Sequence, residues 1–155
     1  MKSQNRKFMM TAITGLLAVW SIFIMYSNAP FYIDVSRATQ GMEVTLVDFQ
    51  WEEGTTILVI FEFDNISSLD ITLNSLIFNI YANADFMGNF DMRERKILPP
   101  GKTRVPMKID IQERYIGELS TDQSITWALR GGAVIELPVG EDTTYNIPFM
   151  EWWEM

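Results

Sequence analysis

The chain of 155 residues is 48% apolar and 21% charged, with a formal net charge of −8 and neither cysteine nor histidine. That length provides one domain, or a small domain with an appendage, and the apolar content excludes a disordered or collagen-like chain. Without Cys there is no disulfide framework, thiol nucleophile or thiolate metal site, and without His the commonest general base and metal ligand is missing.

The chain opens with a basic tip, residues 1–7, in which Lys2, Arg6 and Lys7 have no acidic neighbour. From Phe8 to Ile33 there follow 26 residues without Asp, Glu, Lys or Arg. Within them Phe8–Tyr26 is a mostly apolar run of 19 residues, about 28 Å of helix against a hydrocarbon core of roughly 30 Å. The competing reading is a buried helix of a soluble domain, but such helices seldom run two turns without a charge. Residues 8–28 are therefore expected to be a transmembrane anchor, with Trp20 and Tyr26 toward its far end, where amphipathic rings favour an interface. The positive-inside rule places the N-terminus in the cytoplasm and residues from about 30 onward outside, a single pass of the cytoplasmic membrane. Ser27-Asn28-Ala29 resembles a signal-peptidase site, yet Pro30 would follow the cut, and the apolar run exceeds the roughly 7–15 residues of a signal core. A retained anchor is expected. A lipoprotein is excluded for want of a cysteine. Gly15 is followed four positions on by Val19, so no Gly-x-x-x-Gly dimer seam is formed.

Residues 29–41 are expected to be a short stalk, leading into a first strand around Tyr32–Ala38. All 20 acidic residues lie at or after Asp34, against nine Lys and Arg there, so this portion carries about −11. Such a surface repels nucleic acid and anionic head groups, and no nucleic-acid partner is expected. From residue 42 the sequence alternates with the period of half-buried strands. Val44 and Leu46 lie on one face, as do Ile57, Val59, Phe61 and Phe63, and then Leu76, Phe78 and Ile80. Val105, Met107, Ile109 and Ile111 alternate with Arg104, Pro106, Lys108 and Asp110. The pattern returns in Ile125, Trp127 and Leu129, in Ala133, Ile135, Leu137 and Val139, and in Tyr145, Ile147 and Phe149. Turn residues separate the runs at Glu53-Gly54, Asp64–Asp70, Asp85–Asn89, Pro99-Pro100-Gly101, Gly131-Gly132 and Gly140–Asp142. Only Gln112–Gln123 breaks the rhythm, and Ile116 and Leu119 at helical spacing suggest a short helix crossing between sheets. About seven strands at this spacing predict an all-β fold, an Ig- or fibronectin-III-like antiparallel β-sandwich over residues 42–150, preceded by one transmembrane helix. Residues 151–155 follow as an aromatic tail.

The order of strands and turns resembles the late embryogenesis abundant group 2 family, also called the water-stress and hypersensitive-response (WHy) domain. That family has a strand ending in an Asn-rich turn and then L-x-S-L-x-F-x-I/L-Y-x-N. Here Phe61–Asn65 leads through Ile66–Asp70 into Leu73-Asn74-Ser75-Leu76-Ile77-Phe78-Asn79-Ile80-Tyr81-Ala82-Asn83. Phe86-Met87-Gly88, Arg93–Lys96 and Pro99–Met107 follow the family's small residue and Gly, charged stretch and Pro-Pro-Gly turn. Gly132–Gly140 with Thr144–Phe149 is similar to its closing hairpin, at slightly longer spacing. The likeness covers roughly Met42 to Phe149. One departure is that Asn65-Ile66-Ser67-Ser68 lacks the prolines of the usual Asn-Pro-Asn-Pro turn. The resemblance implies a sandwich often carried on one membrane helix, an association with desiccation and other stress, and no catalytic residue.

The residues themselves offer little chemistry. Carboxylates are paired at Glu52-Glu53, Asp64 with Asp70, and Glu141-Asp142, all at expected turns, where they ordinarily end strands and keep them solvated. Calcium would want several oxygens in one short loop. Asp64-Asn65 with Asp70, and Asp85, Asn89 and Asp91 around Gly88, come closest, but the latter lacks a terminal bidentate Glu. No metal or other cofactor is expected. No phosphate loop, dinucleotide fingerprint or G-x-S-x-G elbow occurs, and without His a Ser-His-Asp triad is impossible. The chain is not expected to be an enzyme. Asn65-Ile66-Ser67 is a glycosylation sequon on the exported side, which makes Asn65 a candidate acceptor. Trp152 and Trp153 are the candidate contacts with a membrane interface or a partner's groove, since Trp suits both. Their ordinary reading is as a cap on the open end of the sandwich.

The leading expectation is a membrane-anchored extracytoplasmic sandwich that binds or protects envelope components, with protein partners in the envelope. The alternative is a structural accessory subunit of a larger membrane complex, its helix packed among others.

Overall fold

The computed structural model describes residues 2–52, 54–116, 124–139 and 143–154. By its contacts the chain divides into two units, Met1–Asp34 and Val35–Met155. The first is the bulk of helix α1, Lys2–Gln40, which is long and apolar enough to cross a membrane. Its hydroxyls are turned back on its own backbone: Thr14 donates to the Met10 carbonyl at 2.9 Å, Ser21 to Leu17 at 2.8 Å and Ser27 to Phe23 at 2.8 Å. Asn28 Nδ2 donates to Ile24 O at 2.7 Å. Pro30 lies inside the helix and brings no N–H of its own.

The stalk expected at 29–41 and the strand expected at Tyr32–Ala38 are both corrected, because α1 runs on to Gln40. The reason lies in the second unit. Ala38 is buried in its core and Val35 packs against that core, so the last helical turns gain contacts that an extended stalk would lack. The helix stops where Gly41 N–H bonds to the Arg37 carbonyl at 2.9 Å.

The second unit is a sandwich of two antiparallel sheets. Strands β1 (Glu43–Trp51), β2 (Thr56–Asn65) and β6 (Gly101–Asp110) form one sheet in the order β1-β2-β6. The other has the order β4-β3-β7-β8, from β3 (Ile71–Ala82), β4 (Asp85–Met92), β7 (Thr126–Glu136) and β8 (Thr144–Glu154). The short β5 (Lys96–Leu98) pairs with the start of β3, on the side that β4 covers farther along. The predicted alternation becomes the core. Ile57, Val59, Phe61 and Phe63 meet Leu76, Phe78, Ile80, Trp127, Leu129 and Ile135, all buried. Phe61, Phe78 and Phe149 form an edge-packed aromatic triad, with ring centroids 5.1–6.2 Å apart.

The turns differ from expectation in two places. Asp85–Asn89 is not a turn but the first part of β4. The reversal is made just before it by Asn83 and Ala84, with φ of 50° and 76°, the left-handed pair that a two-residue hairpin needs. Gly131-Gly132 is not a turn either, and lies in the middle of β7. A Cβ on Gly131 would strike the Ile77 carbonyl and Phe78, and one on Gly132 would meet the Asn146 side chain. The glycines mark close approach of strands, which a sequence cannot distinguish from a bend. Merging two expected strands into β7 and adding β4 and β5 gives eight strands among the described residues, where about seven are expected. Pro99-Pro100 carries the chain from β5 in one sheet to β6 in the other. The expected crossover helix is present as α2, Glu113–Ile116. Leu119 and the rest of its predicted span, with Glu53 and the Gly140–Asp142 turn, lie outside the described residues.

Candidate functional site

Both outer faces of the sandwich carry ion pairs, and the five-stranded sheet adds an exposed aromatic row. On the three-stranded sheet, alternation sends Glu62 outward from β2 and sets it beside β6. Its carboxylate accepts from Lys102 Nζ at 2.8 Å and Arg104 Nε at 3.2 Å. These hydrogen bonds, that of Lys102 first, hold the Glu62 carboxyl below its ordinary 4.5. The bond to Glu62 in turn holds Lys102 above its ordinary 10.5. Lys108 pairs with Glu52 at 2.8 Å, and Thr56 donates to Asp110 at 2.6 Å. This face is charged, paired and solvated.

The five-stranded sheet differs toward the β3–β4 turn. Register aligns Phe86 of β4 with Tyr81 of β3, Tyr81 with Ala128 of β7, and Ala128 with Trp152 of β8. Trp152 is 60% exposed and Phe86 46%, and Tyr81 packs edge-on to Phe86 at 5.8 Å. The next row is Asn89, Asn79, Arg130 and Met150, with Asn89 donating to Asn79 at 2.8 Å. Because Ala128 has almost no side chain, a notch of about 270 Å³ opens among Tyr81, Ala84, Ala128, Arg130, Met150 and Trp152. Arg130 stands in it without a hydrogen bond, ion pair or ring partner among the described residues. The other cations of the sandwich are engaged: Arg93 with Asp91, Arg95 with Glu136, Lys96 with Glu94, and Arg114 over the Tyr115 ring.

The two candidate tryptophans lie within β8, not in a tail beyond it. Adjacent residues of a strand face opposite ways, so the pair is divided. Trp153 packs against the core, opposite the buried Trp127, and acts as the cap; Trp152 faces out. Arg130 and Tyr81 escaped the sequence reading because they belong to strands far apart in the chain. Their period-2 positions on the polar face were the only signal.

Asn65 is not at the surface. It is 1% exposed, and its Nδ2 donates to the carbonyls of Leu69 at 2.8 Å and Leu98 at 3.0 Å. Its Oδ1 accepts from Ser67 N at 3.1 Å and Ser67 Oγ at 2.7 Å, while Ser67 Oγ accepts from Leu69 N at 3.2 Å. These bonds do the work that prolines would do in fixing the β2–β3 loop, and leave the folded amide no room for a glycan. For the acidic clusters, no group of three or more Asp or Glu side chains converges among the described residues. Asp91 is held by Arg93 at 2.6 Å. Glu53, Glu141 and Asp142 lie outside the described residues.

Each edge strand carries an obstacle to strand addition. Pro106 sits in the middle of β6 and Pro148 in the middle of β8. The β1 ladder shifts register between Leu46 and Asp48, and Leu46 N–H is taken by Glu151 Oε2 at 3.3 Å. The β4 side shifts at Ile80/Tyr81 and is interrupted between Met92 and Lys96. The faces, not the edges, are left to bind.

No protein-family model matches the chain, and no curated protein matches it in sequence. Solved structures do share its fold. The chain is similar to a solution structure of a protein described as late embryogenesis abundant (LEA), with a TM-score of 0.56 and 14% identity over 89% of this chain and 84% of that one. It is also similar to a solution structure from Arabidopsis thaliana, with a TM-score of 0.51 and 20% identity over 73% and 76%. A crystal structure of a protein from Archaeoglobus fulgidus gives 0.51 and 8% over 76% and 95%. At these identities the likeness establishes a common fold: the chain is an antiparallel two-sheet β-sandwich of the kind seen in a described LEA protein, preceded by a long apolar helix.

Proposed function

We propose that this chain is a non-enzymatic, membrane-anchored member of the LEA group 2/WHy type, which holds its sandwich outside the cytoplasmic membrane and binds envelope components through the outer face of the five-stranded sheet. The single observation that carries this reading is the exposed row of Trp152, Tyr81 and Phe86 on the five-stranded sheet, with Arg130 unpaired beside it while the other cations of the sandwich are engaged. Aromatic and Arg side chains exposed together are what interfaces concentrate. The apolar helix supplies the anchor, the basic tip sets the N-terminus inside, and the LEA-like fold supports a part in desiccation or other stress.

The test is site-specific photocrosslinking in native membranes of cells that express the full chain. A crosslinker at position 152 is expected to give discrete adducts, and one at position 104, on the paired face, none. Equal labelling from both positions, or none from 152, overturns the reading. Impermeant labelling of position 104 in intact cells is expected, and its absence would put the sandwich on the wrong side.

A further inference from the structure

We propose that the notch between Tyr81 and Trp152 is a binding site for a saccharide unit that carries a carboxylate, with the sugar ring between the two aromatic rings and the carboxylate on Arg130. The inference rests on the reading of this face as the binding face and names its ligand.

Three features of the notch converge on that chemistry. First, Tyr81 and Trp152 stand on β3 and β8 with β7 between them, two inter-strand spacings or roughly 10 Å apart. The small Ala128 between them leaves a notch bordered by both aromatic residues. The C–H faces of a pyranose are apolar and carry slight positive charge, and aromatic π faces are electron-rich. Second, Arg130 offers a planar fork of donors suited to a carboxylate. It has no acid partner of its own, in a domain where about −11 of charge leaves carboxylates in excess. Third, the register partner of Arg130 is Asn79, whose amide pairs with Asn89 in the same row. Amides able to donate and accept are suited to sugar hydroxyls.

The other occupants fit less well. At about 270 Å³ the notch falls below the usual range of cofactor pockets. An extended peptide would seek backbone pairing, which Pro148 on β8 and the interrupted β4 side deny it. The row of Phe86, Tyr81 and Trp152 across the sheet lets neighbouring sugar units continue over β3 toward β4.

The experiment is saturation-transfer NMR on the full chain in phosphatidylcholine nanodiscs, titrated with glucuronate, glucose and acetate, and separately with a short acidic peptide. Saturable transfer to the glucuronate ring protons is expected, with glucose weaker and acetate and peptide weaker still. Arg130→Gln is expected to weaken glucuronate about tenfold or more and to leave glucose unchanged. Trp152→Ala is expected to abolish both. Both side chains are exposed, and near-UV circular dichroism checks that each variant is folded. No saturable glucuronate signal, equal binding by acetate or the peptide, or undiminished binding by Arg130→Gln overturns the proposal. Adducts from position 152 without glucuronate binding would sink the sugar and leave the binding face standing. Glucuronate binding without adducts would support the site and remove the macromolecular partner.

Discussion

Ala84 stands in a backbone region that a residue with a Cβ seldom occupies, at φ 76°. It is kept there because the β3–β4 register allows only two turn residues and because Asn83 is tied to β7, with its N–H on the Thr126 carbonyl at 2.9 Å and its Oδ1 accepting from Thr126 N at 3.0 Å. Ala84→Gly is expected to stabilise the sandwich by about 1 kcal/mol, since glycine takes this conformation freely, read as a rise in the thermal midpoint. Asn65 makes the opposite case. Removing its amide strands the buried Leu69 and Leu98 carbonyls, so Asn65→Ala is expected to cost about 2–3 kcal/mol in urea unfolding. The sequence marked Asn65 through a sequon. Its role as the keystone of a loop was not legible, because the Leu98 carbonyl that it holds comes from β5.

Among elements, β7 shows how one pattern serves two structures. Gly-Gly in a chain ordinarily reads as a turn, and only the neighbouring strands reveal that space is what the glycines provide. Gly131→Ala would force a methyl into the Ile77 carbonyl and Phe78 backbone. A loss of about 2–3 kcal/mol is expected, whereas Gly54→Ala at the exposed β1–β2 turn strains only a local φ of 66°. Paired calorimetric scans of the two variants make the comparison. Strands β2 and β6 carry one pH-sensitive pair, Glu62 and Lys102. Glu62 is depressed in the fold, so its contribution is complete above its ordinary 4.5 and is lost as pH falls through the lower folded value. Lys102 is raised, so its contribution is complete below 10.5 and is lost as pH climbs beyond that. Glu62→Gln is expected to flatten both flanks of the profile. Urea midpoints across pH, compared with wild type, read this out; unchanged flanks would remove Glu62 from the account.

For the whole molecule, the edge strands are guarded against aggregation. Edges are closed by Pro106, Pro148 and irregular pairing, while the outer face of the five-stranded sheet exposes Phe86, Met150 and Trp152. Joint replacement of Pro106 and Pro148 by Val should restore two donor-bearing edges. Concentration-dependent association of the full chain is then expected by light scattering, where wild type shows less. Legible in the chain were the long apolar helix, the charge asymmetry about it, the all-β class and the inward faces of β2, β6 and β7, but not the burial of Phe49, Ile71, Met87 and Leu98 or the exposure of Tyr145. The legible features depend on local period and composition, which a chain displays along its length. Tertiary structure alone decided that α1 continues to Gln40, because Val35 and Ala38 find the core. It decided too that Trp153 turns in while Trp152 turns out, and that Arg130 comes to stand unpaired between Tyr81 and Trp152. Each of those outcomes depends on which strand lies beside which, and pairing between residues distant in the chain leaves no period in the sequence to read.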